Sequence, residues 1–163
     1  MSERNKEHGL AKSLAKGMLA GLIGGLVATA AKSIAEKIYP PRTHGEPEPP
    51  TVLAGRVADE VGMTLSGAEK TATAEAIHWG FGALTGTAYG ALAEYFPAAT
   101  AKDGASFGLA LATLTHATAL PAMGLAAEPE KQTTREHTSE MASHVVYGLM
   151  LETVRRFVRR RLE

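Results

Sequence analysis

The stretch Gly17–Ala31, GMLAGLIGGLVATAA, contains no Asp, Glu, Lys or Arg across its 15 residues. Three further uncharged stretches follow at 76–93, 104–127 and 141–151, with 18, 24 and 11 residues. A helix that crosses the hydrocarbon core of a bilayer needs about 20 mostly apolar residues. The two longer stretches approach or exceed this length, and charged flanking residues that snorkel or face inward can extend the shorter ones. The sequence therefore predicts an all-α fold, a four-helix transmembrane bundle.

The predicted spans are 13–38, 73–96, 103–125 and 138–160, and together they form one domain covering residues 1–163. A long outer loop, 39–72, separates the first two spans. Its prolines at 40, 41, 47, 49 and 50 predict a stiff, extended segment. Thr51–Leu65 then carries apolar residues at four-residue spacing, which predicts a short amphipathic helix.

Basic residues predict the orientation of the bundle. Arg4, Lys6, Lys12 and Lys16 precede the first span, and five arginines lie between positions 155 and 161. Positive charge favours the cytoplasmic side, so both termini are expected in the cytoplasm and the protein in the bacterial inner membrane as a multi-pass protein. Two alternatives remain open at this point, namely a cleaved signal peptide at the N-terminus and a soluble helical-bundle interaction protein.

Composition excludes several function classes. The 17 basic and 17 acidic residues balance, so nucleic acid is not an expected partner. The chain has no cysteine and therefore no thiolate ligand or thiol nucleophile. It also lacks the short motifs of serine hydrolases, zinc proteases, P-loop enzymes and dinucleotide-binding enzymes. No enzyme activity is predicted.

Glycine spacing predicts which faces of the helices point inward. Gly17, Gly21 and Gly25 recur every four residues, and small residues at this spacing allow helix backbones to approach closely in lipid. Glycine faces left free after packing would also allow a homo-oligomer. Continuing these rows along the four helices predicts an outer polar cluster formed by Lys32, Glu36, His78, His116, Glu140 and His144. A smaller inner charged layer is predicted from Glu94, Glu152, Arg155 and Arg156.

The chemistry of the outer cluster has several interpretations. Ionisable residues inside a bilayer are costly and commonly functional, but a Glu–His–Lys network can also simply fix the packing. Imidazole and carboxylate together suit a transition metal, and Glu75-x-x-His78 has the spacing found in di-iron bundles. The metal candidates are Glu36, Glu75, His78, His116, Glu140 and His144. Haem held by two of the histidines and a pH-responsive or proton-relaying network are further possibilities, so the cofactor stays unknown.

Several motifs resemble the YagU-like family of bacterial inner-membrane proteins, a domain of unknown function. They are Glu36 with Pro40-Pro41-Arg42, His78, Tyr89-Gly90, Glu94-Tyr95-Phe96-Pro97, His116 with Pro121-x-Met123-Gly124-Leu125, Glu140-x-x-x-His144, and Glu152 before Arg155-Arg156. The resemblance implies four spans in the inner membrane. It implies no reaction. Glu75 and the composition of the outer loop depart from the family pattern.

Overall fold

The computed structural model describes the backbone of residues 3–42 and 46–163, and the side chains of 8–42 and 46–163. The predicted all-α class is confirmed, since these residues form helices and turns without a strand. Arg4 and Lys6, counted above for orientation, have side chains outside the described set. The helices are α1 (Glu3–Ile38), α2 (Pro49–Glu60), α3 (Gly67–Tyr95), α4 (Ala105–Leu114), α5 (Leu120–Ala122) and α6 (Thr134–Arg161). A π-helical turn, Thr115–Ala119, joins α4 to α5 without a break.

The long helices alternate in direction. Ser13 near the start of α1, Glu94 at the end of α3 and Arg159 at the end of α6 hydrogen-bond to one another. At the opposite end, Ser139 at the start of α6 donates to the carbonyl of Tyr39, just after α1. The start of α1 and the end of α6 therefore share one end of the bundle, called the terminal end here. The other is called the loop end.

Glycines bring α1 and α3 into backbone contact. A Cβ atom on Gly21 would lie 2.1 Å from the carbonyl oxygen of Gly86, and one on Gly86 would lie 2.5 Å from the Cα of Gly25. Towards the terminal end, a Cβ on Gly90 would lie 2.1 Å from the carbonyl oxygen of Gly17. No larger residue fits at these distances. The close approach predicted from the glycine spacing is confirmed for this pair.

A second glycine contact joins α4 to α6. A Cβ on Gly108 would lie 2.0 Å from the carbonyl oxygen of His144, and one on Gly148 would lie 2.2 Å from that of Gly104. Helix α6 also packs against α1, where a Cβ on Gly24 would meet the carbonyl oxygen of Leu151 at 2.9 Å. The bundle is thus two tightly joined helix pairs, α1–α3 and α4–α6, held together through α1 and α6. The buried core between them contains Ala28, Tyr89, Tyr147 and Leu151.

Helices α3 and α6 both begin with a capping box. Ser66 accepts a hydrogen bond from the backbone N–H of Glu69, whose carboxylate in turn accepts from the backbone N–H of Ser66. Thr133 and Glu136 make the equivalent pair before α6. These capping boxes satisfy backbone donors that the first helical turn leaves free. The hydrogen bonds from Ser66 also hold the pKa of Glu69 below its usual range.

The outer loop contains the predicted short helix, but its position differs. The prediction placed it at 51–65, whereas α2 covers Pro49–Glu60. Pro49 and Pro50 were expected in an extended segment and instead occupy the first helical turn, where a missing N–H costs nothing. Two residues after the end of α2 the chain turns at Gly62, which has a φ of +70°. Arg56 of α2 donates to the carbonyl oxygens of Met123 and Gly124, which ties α2 to the turn after α5.

Among the described residues, one helix is long and apolar enough to cross a membrane by length and composition, namely His8–Ile38 within α1. The other long helices fall short for physical reasons. Gly, Ala and Thr dilute the hydrophobicity of α3, Glu140 and Glu152 interrupt α6, and α4 reaches the π-helical turn after 10 residues. Helix length and composition therefore support one of the four predicted spans.

Candidate functional site

A cavity of about 250 Å³ lies between α3 and α4 at the loop end of the bundle. Residues of α1 and α6 form its floor, and Pro49, Pro50 and Leu53 of α2 cover it. All six residues of the predicted polar cluster line this one cavity, namely Lys32, Glu36, His78, His116, Glu140 and His144. The structure therefore brings these residues together, although they come from four different helical segments.

Three of the six residues form a compact donor group. His116 Nε2 lies 3.1 Å from Glu140 Oε2, and His144 Nδ1 lies 3.9 Å from the same oxygen. One potential ligand atom from each of the three side chains lies within 4.8 Å of the other two. The two imidazole rings meet edge to face, with 5.0 Å between their centroids. A single small cation could be bound by all three, whereas a porphyrin plane would not fit between the rings.

The position of His116 depends on the π-helical turn. Pro121 has no N–H to donate, so the carbonyl of His116 five residues earlier lacks its π-helical partner. The side-chain amide of Gln132 donates to this carbonyl instead, at 3.2 Å. A proline inside a helix commonly kinks or ends it, but here the chain continues through α5 to Ala122. Single π-helical turns inside α-helices are frequently found at functional sites.

The backbone of α6 orients His144. Its Nδ1 lies 2.7 Å from the carbonyl oxygen of Glu140, one turn earlier, and a carbonyl can only accept. Nδ1 therefore carries the proton in the neutral ring, and Nε2 keeps its lone pair. Metal-bound histidines typically have this arrangement, in which the second ring nitrogen donates to a carbonyl or carboxylate.

The Glu140 carboxylate is buried without a hydrogen bond. The residue is 4% exposed, and within the described part of the chain neither of its oxygens has a hydrogen-bond partner of adequate geometry. Arg42 lies 3.3 Å from Oε1, close enough for an ion pair but not aligned for a hydrogen bond. Buried carboxylate oxygens are nearly always satisfied, so an exception calls for an explanation such as an ion. Arg42 belongs to the Pro40-Pro41-Arg42 motif and was not among the predicted site residues.

The other predicted ligands have partners of their own. Lys32 and Glu36 pair with each other on α1, and Ser143 donates to Glu36 at 3.3 Å. His78 lines the cavity, but its Nε2 contacts the hydroxyl of Ser33 at 3.2 Å. These side chains surround the donor group without belonging to it.

Glu75 was predicted as a metal ligand but lies apart from the donor group. Its carboxylate accepts from Trp79 Nε1 at 3.0 Å on the exposed face of α3. It borders a separate, more polar cavity of about 620 Å³ and does not reach the donor group. The Glu75-x-x-His78 spacing places the two residues one turn apart, but His78 turns inward and Glu75 does not. The di-iron pattern therefore has no counterpart in the described residues.

The inner charged layer lies at the terminal end, and both of its carboxylates accept hydrogen bonds. Glu152 accepts from Tyr89, Arg155 and Arg156 at 2.6–2.9 Å. Glu94 was predicted in the same layer as Arg155 and Arg156, but Arg159 and Ser13 are the residues that bind it. Sequence analysis missed Tyr89 as a partner because a tyrosine in an apolar stretch gives no sign of where its hydroxyl points. These hydrogen bonds join α1, α3 and α6, so the layer has a structural geometry.

Comparison with known protein families matches residues 26–153 to a family described as "Protein of unknown function (DUF1440)". The chain belongs to this family. The matched segment of this DUF1440 protein includes the whole donor group and the cavity around it. No curated protein and no solved structure matches the chain. The family description names no reaction. The YagU-like name stays a prediction from motifs.

Proposed function

We propose that the protein is a membrane-embedded helical bundle that binds one divalent transition-metal ion through His116, Glu140 and His144. The observation that carries this proposal is the Glu140 carboxylate, buried, without a hydrogen bond, and facing two imidazoles within 4.8 Å. Leaving the oxygens of a buried carboxylate without hydrogen bonds costs about 1–3 kcal/mol. A metal ion bound at this point removes that cost.

The donor set indicates the kind of metal. Two imidazoles and one carboxylate suit zinc or iron(II), whereas calcium and magnesium prefer sites built from oxygen. Three protein ligands also leave at least one coordination position open, as in catalytic rather than structural zinc sites. The open position would face the cavity. The structural alternative, a network that only fixes packing, requires ordered water in the cavity to satisfy the oxygens of Glu140.

The distribution of polar and apolar side chains supports a position in the bilayer. Leu22, Leu84, Leu114 and Leu149, one from each long helical segment, are 36–69% exposed. Glu140, His144 and Glu152 are at most 4% exposed. A water-soluble bundle has the opposite distribution. The helical segment from 105 to 122 is also uncharged and uninterrupted, because the π-helical turn continues α4 into α5.

The bilayer proposal extends to orientation and assembly. We place the terminal end, with its arginines, on the cytoplasmic side of a bacterial inner membrane, so that the metal site lies near the outer face. Most of the glycine rows are used inside the bundle. A homo-oligomer through glycine contacts would have to use a position such as Gly80, where a Cβ would have nothing within 4 Å.

Metal analysis tests the proposed function. Protein purified without a histidine tag or chelator is expected to contain about one equivalent of zinc or iron, and no haem absorbance. His116→Ala and Glu140→Gln should each lose most of this metal. The matched control is His78→Ala, which removes a histidine from the same cavity but outside the donor group, and it should retain the metal. Substoichiometric metal in the parent protein, or equal loss in the control, contradicts the proposal.

Membrane embedding has a separate test. The protein should sediment with membranes and stay there after extraction with alkaline carbonate. Release into the supernatant would contradict the bilayer proposal and leave the metal proposal to be tested in solution.

A further inference from the structure

The cavity beside the donor group combines two kinds of surface. One end carries the three donor residues together with Lys32 and Arg42. Most of the remaining wall is apolar, with Leu53, Ile77, Phe81, Leu111 and Leu120. A site with a charged end and an apolar wall matches a ligand that is itself charged at one end and apolar along its length.

Charge balance indicates the sign of that ligand. Without metal, the positive charges of Lys32 and Arg42 are opposed by the carboxylates of Glu36 and Glu140, and Glu48 stands exposed at the mouth. A divalent cation among neutral histidines would leave an excess of positive charge in a buried position. Uncompensated charge in a low-dielectric interior is expensive, so an anion at the open coordination position is favoured.

Arg42 is close enough to this coordination position to bind such an anion. Its guanidinium lies 3.3 Å from Glu140 Oε1, and its side chain is 16% exposed. When Glu140 binds a metal ion, its negative charge is shared with that ion and its hold on Arg42 weakens. The guanidinium, with its planar fork of donors, then becomes available to a second carboxylate beside the metal.

From these features we infer that the metal site binds the carboxylate of a short amphiphilic acid, with its hydrocarbon chain along the apolar wall of the cavity. This inference rests on the proposed metal site. The volume of about 250 Å³ limits the ligand to an acid with a short hydrocarbon chain. Phe81 and Met123, which are 49% and 52% exposed, border the cavity and give it an apolar edge on the outside of the bundle. An acid dissolved in the bilayer could reach the site along that edge.

The test uses cobalt(II) as the bound metal, since its visible spectrum reports the groups that coordinate it. Cobalt-loaded protein in lipid nanodiscs is titrated with octanoate, with acetate, and with octanol. Octanoate should change the cobalt spectrum and bind at least about tenfold more tightly than acetate, because its chain buries apolar surface. Octanol, which has the chain without the charge, should leave the spectrum unchanged.

Two variants complete the test. Arg42→Gln should retain cobalt but bind octanoate about tenfold more weakly. The control, Arg135→Gln, removes an arginine at the loop end that donates to the Pro40 carbonyl and does not line this cavity, and it should bind octanoate normally.

Each outcome bears on a different claim. If cobalt binds and octanoate leaves its spectrum unchanged, the inference is overturned and the metal site stands. If acetate binds as tightly as octanoate, the ligand is a small soluble acid and the amphiphile is excluded. If Arg42→Gln and Arg135→Gln bind octanoate equally well, the role of Arg42 is wrong. If the protein binds no cobalt, the metal site and this inference both fail.

Discussion

Glu140 and Glu152 are both buried carboxylates on α6, and their surroundings differ completely. Glu152 accepts four hydrogen bonds, one from Tyr89, two from Arg155 and one from Arg156. Glu140 accepts none in the described part of the chain. A fully satisfied carboxylate stabilises a fold, whereas an unsatisfied one beside two histidines has the geometry of a ligand. The contrast separates a structural position from a candidate functional one on the same helix.

At the residue scale, Glu152→Gln should strongly destabilise the protein. The variant leaves the buried guanidinium of Arg155 without its carboxylate, and breaking a buried ion pair in this way costs about 3–5 kcal/mol. Unfolding by denaturant in detergent micelles, followed by circular dichroism, measures the change. The control is Asp103→Asn, which removes the exposed partner of Arg156 and should cost no more than about 1 kcal/mol. Similar stabilities for the two variants would contradict this prediction.

At the element scale, the contact between α1 and α3 depends on glycine. Gly86→Ala would place a Cβ 2.5 Å from the Cα of Gly25, so the helices must separate. We expect a loss of about 1–3 kcal/mol or more in the free energy of unfolding, as for other overpacked contacts. Gly80→Ala lies on the same helix with nothing within 4 Å of the new Cβ. It should be neutral or stabilise the helix by up to about 1 kcal/mol, and a loss in this control equal to that of Gly86→Ala would exclude the packing explanation.

The start of α3 should respond to acid. Hydrogen bonds from Ser66 lower the pKa of Glu69 in the folded state, so the stabilisation they provide is present above the ordinary carboxyl pKa and is lost as pH falls through the lowered value. Amide hydrogen exchange at Glu69 and Lys70, whose N–H groups donate to Ser66, should be faster in acid after correction for its intrinsic pH dependence, because the first turn opens. Ser66→Ala removes the hydroxyl that accepts from the Glu69 amide but keeps the backbone N–H that donates to the Glu69 carboxylate, so these amides should exchange faster at neutral pH and retain part of the acid response. Acid-independent protection of these amides in the parent protein would contradict the prediction.

Local sequence explains some elements of the fold better than others. The capping boxes at Ser66 and Thr133 can be recognised from the spacing of a hydroxyl and a glutamate. The π-helical turn at Thr115–Ala119 cannot, because the carbonyl of His116 accepts from the amide of Gln132, which lies beyond the following turn. The first residue of α2 was also missed, because Pro49 and Pro50 suit an extended chain as well as a first helical turn.

At the scale of the whole molecule, the proposed orientation can be tested with single cysteines, since the natural chain has none. Gly9→Cys and Arg160→Cys mark the terminal end, and Glu60→Cys and Glu128→Cys mark the loop end. A maleimide that cannot cross membranes should label the loop-end positions in intact cells and the terminal-end positions only after permeabilisation. Labelling of Gly9→Cys and Arg160→Cys on opposite sides would contradict an even number of spans. Labelling of all four in intact cells would contradict cytoplasmic termini.

The sequence by itself determined the all-α class, the glycine faces that point into the bundle, and the expectation that six polar residues lie together. These features follow from periodicity within each helix, since residues four apart share a face and uncharged stretches set where helices lie. The number of membrane spans is not among them, because mildly apolar helices rich in Gly, Ala and Thr suit a bilayer and a protein interior alike.

Only the tertiary structure decided which polar residues meet. A helix turns about 100° per residue, so small differences in rotation separate a side chain that enters the cavity, such as His78, from one that remains outside, such as Glu75. The donor group of His116, Glu140 and His144 depends on the register between α4 and α6, and that register is set by contacts at Gly108 and Gly148. Arg42 reaches the site from a loop whose path no local pattern specifies. Distances between helices carry this information, and a linear pattern within one helix does not.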